Sequence, residues 1–140
     1  MAAGRVAFVE GDFRTAPLEE EHFDLIVAAA VLHHLRDEAD WKRTFAKIHS
    51  LLKPGGVLLV SDLICHENPK IESLFKIRQE AFLWEALGDA EAERIMRSIA
   101  ESDTPSPLEY QFALLKELGF REVGILHKNL VFAAYYAVKE

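Results

Sequence analysis

Short apolar runs alternate along the chain with longer stretches in which apolar residues recur every three or four positions. The short runs predict strands and the longer stretches predict amphipathic helices. Their alternation predicts an α/β architecture. The strand candidates are residues 5–9, 23–31 and 56–60, then 122–126 and 131–138. The run FDLIVAAAV is nearly continuous in apolar residues, which predicts a strand buried on both faces. Lys53-Pro54-Gly55-Gly56 predicts a sharp turn that ends a helix and launches the third strand. The last two strands, joined by His127-Lys128-Asn129, predict an antiparallel hairpin.

Three helical stretches lie between. In residues 39–52, Trp41, Phe45, Ile48 and Leu52 form one apolar stripe. Residues 69–100 predict two helices broken near Gly88-Asp89, with Ile71, Leu74, Phe75, Phe82, Leu83 and Trp84 among their apolar residues. Ser106-Pro107-Leu108-Glu109 predicts a capping box with Ser106 as N-cap, opening a helix that buries Leu108, Phe112 and Leu115 and stops at Gly119. The order is β-β-α-β-α-α-α-β-β. It predicts a parallel sheet with a C-terminal antiparallel edge.

Composition narrows the class. The chain has 140 residues, half of them apolar, and reads as one domain over residues 1–140. Its formal charge of −7 argues against broad nucleic-acid binding, which draws on Lys and Arg against phosphates. One cysteine, Cys65, excludes a disulfide framework within the chain and suits a reducing cytoplasm. No apolar run reaches the roughly 18–20 residues of a membrane span. The N-terminus lacks the apolar core of a signal peptide.

Four segments then match one known pattern in order and spacing. They are VEGDF at 9–13, FDLIVAAAVLHHL at 23–35, LLKPGGVLLVSD at 51–62, and LGF at 118–120 followed by the hairpin. Together they resemble the class I S-adenosylmethionine-dependent methyltransferases. Within that family the chain is most similar to the carboxy-S-adenosylmethionine synthases of the tRNA wobble-uridine pathway and related small-molecule methyltransferases. The resemblance implies a truncated Rossmann-like methyltransferase sheet, with a helical insert over about residues 69–104. The family's first two strands and Gly-rich first motif have no counterpart here. In the family's order 3-2-1-4-5-7-6, that leaves the edge of residues 25–30 without its neighbour. Three outcomes are open: residues 5–9 slide over to pair with that edge, a second copy covers it, or the chain is the C-terminal part of a larger protein.

The resemblance also assigns roles. Asp12 would accept a hydrogen bond from the adenine amino group of S-adenosylmethionine, and Phe13 would supply an apolar wall; a plain Gly-Asp turn is the alternative. Ala28, Ala29 and Ala30 would let the cofactor approach the strand exit. His33 or His34 would act as a base or orient the methyl acceptor, with at most one facing the pocket. Asp62 would orient the acceptor. These groups leave neighbouring strands with Cys65 and His66, but the spacing resembles no closed zinc motif, so no metal is assigned. Phe75, Phe82, Trp84 and Met96 would mostly pack onto the sheet, one or two of them touching an acceptor. Arg94 or Arg97 would read the extra carboxylate of carboxy-S-adenosylmethionine.

The resulting expectation is a cytoplasmic enzyme that transfers a methyl group to a small molecule, or to a tRNA-related acceptor. It has no membrane partner, and a homo-oligomer would cover the open edge. The alternative is a non-catalytic methyltransferase-like module that has lost the cofactor loop.

Overall fold

The computed structural model describes residues 4–140. Its frame is a sheet in the order β1-β2-β5-β4, built from β1 (Phe23–Ala29), β2 (Leu52–Cys65), β4 (Phe120–Asn129) and β5 (Phe132–Lys139). A two-residue strand, β3 (Ser106–Pro107), pairs in parallel with the end of β2. β1 and β2 are parallel, while β5 runs antiparallel to both β2 and β4. The expected mixed sheet with an antiparallel C-terminal edge is therefore present.

One face of the sheet carries the core. Leu58, Val60 and Ile64 of β2 alternate inward beside Ala133, Tyr135 and Ala137 of β5, as the two-residue period of a strand requires. Helix α1 (Glu38–Leu51) lays Trp41, Phe45 and Ile48 on that face. Asp37 caps it by accepting the backbone N–H of Asp40 at 2.8 Å. Helix α4 (Leu108–Glu117) adds Leu108, Leu114 and Leu115. Helices α2 (Pro69–Leu87) and α3 (Asp89–Ser102) pack chiefly on each other and part at Gly88, where the break was expected. Asn68 caps α2 through the N–H groups of Lys70 and Ile71. Among the described residues no helix is long and apolar enough to cross a membrane.

Five expectations are corrected. Residues 5–9 form no strand; Val6, Phe8 and Val9 are exposed, so this segment does not slide over to pair with β1. β1 is buried on one face only, because no described element covers the other: Leu25 and Val27 are 51% and 61% exposed. Lys53–Gly56 is a bulge inside β2 rather than a turn before it. Phe23 faces Leu52 while Leu25 faces Val57, so the extra residues loop out. Gly56 permits this, since a Cβ there would stand 2.8 Å from the Lys53 carbonyl oxygen. The hairpin turns at Leu130-Val131, one step later than His127–Asn129, with Leu130 at φ 52°. Finally, Ser106 does not cap α4. The N-cap is Pro107, without a side-chain bond, and the Ser106 carbonyl instead accepts from Gln111 Nε2 at 2.8 Å. Pairing with β2 commits Ser106 to an extended strand before the helix can use it.

Candidate functional site

A cleft of about 500 Å³ opens beside the C-terminal end of β1. Its walls come from the loop at Asp12–Arg14, from Ile26–Ala28 of β1, from the segment after β1 including His34, and from Asp40, Thr44 and Ile48 of α1. Ligands of open α/β sheets bind at such strand ends.

Asp12 sits at the cleft in an Asx turn. Its carboxylate accepts the Arg14 backbone N–H at 2.8 Å, and Arg14 Nη2 at 2.6 Å. The same guanidinium reaches Asp40 at 2.6 Å. These Arg14 hydrogen bonds hold the Asp12 carboxyl down at about 2. The side chain is still 46% exposed, so lone pairs remain open to a ligand. Phe13 packs against the core, and Lys47 Nζ ties the Phe13 and Ala16 carbonyls at 2.6 Å each. Of the three alanines only Ala28 lines the cleft; Ala29 and Ala30 are exposed beyond it. Ala30 adopts φ 54° and donates its N–H to the Ser61 carbonyl at 2.9 Å. Thr44 Oγ1, on the cleft wall, is buried without a hydrogen-bond partner.

The histidine pair splits by environment. After β1 the chain makes a short 3-10 turn, Leu32–His34. His33 is buried and its Nδ1 pairs with Asp62 Oδ1, while His34 is 56% exposed on its side chain and faces the cleft. Asp62, itself buried in β2, also accepts N–H groups from Val31 at 3.1 Å, Leu32 at 2.6 Å and Leu63 at 2.7 Å. Its oxygens thus hold the 3-10 turn and the His33 ring rather than facing the cleft. Cys65 and His66 turn away from this rim. Cys65 Sγ donates to the Pro105 carbonyl, and burial pushes its thiol up to about 11. His66 pairs with Glu72 at 2.9 Å and stacks on Phe75.

The insert does not pack onto the sheet as expected. Phe82 and Trp84 are exposed, and Leu83 is the buried residue of α2. Met96 lines a second, apolar cavity of about 450 Å³ between α2, α3 and the end of β2. Arg94 and Arg97 pair along α3 with Glu91 and Glu93 on its exposed surface. Sequence reasoning missed Arg14, Asp40 and Thr44 on the cleft, and Asp103, which lies 3.6 Å from both His33 Nε2 and His34 Nδ1. Thr44 and Asp40 read as ordinary α1 positions, and no spacing links Asp103 to residues seventy positions earlier.

A family model described as a methyltransferase domain matches residues 1–60. The chain is 30% identical over 126 residues to the ubiquinone/menaquinone biosynthesis C-methyltransferase UbiE of Ectopseudomonas mendocina, covering 86% of this chain and 47% of that protein. The chain thus spans about half the length of that relative. Human N-acetylserotonin methyltransferase, solved in complex with S-adenosylmethionine, superposes with TM-score 0.60 at 24% identity, over 94% of this chain and 33% of that one. A methyltransferase from Methanosarcina mazei superposes with TM-score 0.62 at 16% identity, over 99% of this chain and 69% of that one. At those identities the structural likenesses speak for the fold alone. The strand order β1-β2-β5-β4 also reproduces the last four positions, 4-5-7-6, that the sequence motifs implied. By motif and by sequence similarity the chain resembles the class I S-adenosylmethionine-dependent methyltransferases, and its fold matches theirs.

Proposed function

We propose that this chain forms the adenine-side wall and the acceptor side of an S-adenosylmethionine-dependent methyl-transfer site, with a small molecule as acceptor. The observation that carries the reading is the gathering of Asp12, Phe13, Ala28 and His34 around one cleft. The residues suit the adenine half of the cofactor: a partly open carboxylate, an apolar wall, a small side chain at the floor, and the unpartnered Thr44 hydroxyl. When bound, the cofactor supplies a methyl carbon made electrophilic by its sulfonium. His34 stands on the cleft wall where it can orient an acceptor. His33 and Asp62 are positioning residues that set the turn from which His34 projects. Ala29 and Ala30 shape the strand exit through backbone conformation.

The formal charge of −7 favours a small acceptor over tRNA. UbiE is a C-methyltransferase of ubiquinone/menaquinone biosynthesis, which is consistent with a small acceptor here. A lone, half-buried cysteine suits a cytoplasmic setting. A second copy of the chain is the proposed cover for the β1 edge.

Isothermal titration with S-adenosylmethionine and S-adenosylhomocysteine tests the reading. Binding tighter than about 100 μM, roughly 5.5 kcal/mol, is expected. Asp12→Ala should abolish it. Silence at millimolar ligand would overturn cofactor binding by this chain and favour a non-catalytic module. Unchanged binding by Asp12→Ala would overturn the adenine role.

A further inference from the structure

We propose that His33, His34 and Asp103 form a binding site for one first-row divalent cation of the zinc class. His33 Nε2 and His34 Nδ1 each lie 3.6 Å from Asp103 Oδ1, and the three ligand atoms fall within 4.8 Å of one another. Those separations exceed the 2.7–3.2 Å of an N–H···O bond. They approach the roughly 3.3 Å that separates neighbouring ligands placed about 2.0–2.1 Å from a tetrahedral metal.

Two further observations point to a cation. Asp103 has a side chain only 7% exposed, and among the described residues its carboxylate takes one hydrogen bond, from Ser102 Oγ at a long 3.2 Å. A carboxylate largely withdrawn from solvent is stabilised by a positive charge beside it. His33 is arranged as a ligand would be. Asp62 engages its Nδ1, so Nε2, 3.6 Å from Asp103 Oδ1, is the ring nitrogen left to bind a cation. A carboxylate behind a ligating histidine fixes its tautomer and raises its basicity.

The backbone holds the pieces together. Asp103 ends α3, its N–H donating to the Ile99 carbonyl at 3.0 Å. The next residue, Thr104, donates its N–H to the His33 carbonyl at 2.7 Å, so the loop is latched to the histidine turn. Two imidazoles and one carboxylate, with no thiolate, suit zinc and its first-row neighbours. Half-exposed His34 gives an entry path and leaves a coordination position open, as in three-ligand zinc sites. The site adjoins the cleft, since His34 belongs to both, but it does not rest on methyl transfer.

The test titrates the chelator-treated chain with Zn2+ by calorimetry, and with Co2+ as a spectroscopic probe, without cofactor or acceptor. One ion per chain is expected, with visible cobalt bands that Zn2+ displaces. His34→Ala, at an exposed side chain that should leave folding intact, is expected to weaken Zn2+ at least about tenfold. Asp62→Asn should weaken it by roughly 10–100-fold. His22→Ala, on the far exposed pair with Glu19, serves as control and should bind as the parent does. Absence of a stoichiometric site would overturn the proposal. So would a His34→Ala chain, folded by circular dichroism, that binds Zn2+ as tightly as the parent.

Discussion

Gly119 shows how one residue joins two demands. It sits at φ 104° just past α4, and a Cβ there would approach His49 Nε2 to 3.0 Å. Any other residue would meet both backbone strain and a side-chain clash. Gly119→Ala should therefore cost about 1–3 kcal/mol, read from urea unfolding midpoints. The helix stop was legible in the sequence; the histidine against it was not, because His49 comes from another helix. Burial, with Lys139 nearby, holds the His49 pKa below its ordinary 6.5. The unfolded chain therefore binds more protons just below that value, and stability falls as pH drops through it. His49→Gln should flatten this dependence as pH falls below about 6.5; an unchanged slope would remove His49 from the account.

At the scale of elements, strand β5 is tied to two helices by polar groups. Tyr135 donates its hydroxyl to Gln111 Oε1 at 2.6 Å, and Gln111 donates in turn to the Ser106 carbonyl. All three are buried. Lys139 donates to the His49 and Leu52 carbonyls at 2.8 and 2.7 Å, closing the C-terminal end of α1. Tyr135→Phe should cost about 1–3 kcal/mol, because it leaves the buried Gln111 oxygen unpaired. Thermal unfolding would show it, and a loss within error would mean that water takes over the bond. The strand and helix of these ties were readable from periodicity. The ties themselves were not: Ser106 looked like a cap for α4, and the pairing of Ser106 with Ile64 in β2 redirected it.

At the scale of the whole molecule, β1 presents an apolar edge and an uncovered face. Leu25 and Val27 stand exposed there, and residues 5–9 do not pair with it. An open apolar edge promotes association between copies. The isolated chain should elute as more than a monomer on size exclusion, and Val27→Lys should shift it toward one; a monomer unaffected by the substitution would remove the self-association reading. The sequence by itself determined the alternation of elements, the α1 stripe, the antiparallel edge and the family motifs. These rest on periodicity, turn chemistry and contiguous residues, which a linear chain displays directly. Tertiary structure alone decided that Arg14 would bridge Asp12 to Asp40, that Asp62 would serve the turn rather than the cleft, and that Asp103 would meet the two histidines. Those outcomes depend on which distant segments the sheet brings within a few ångströms, and no local pattern encodes that distance.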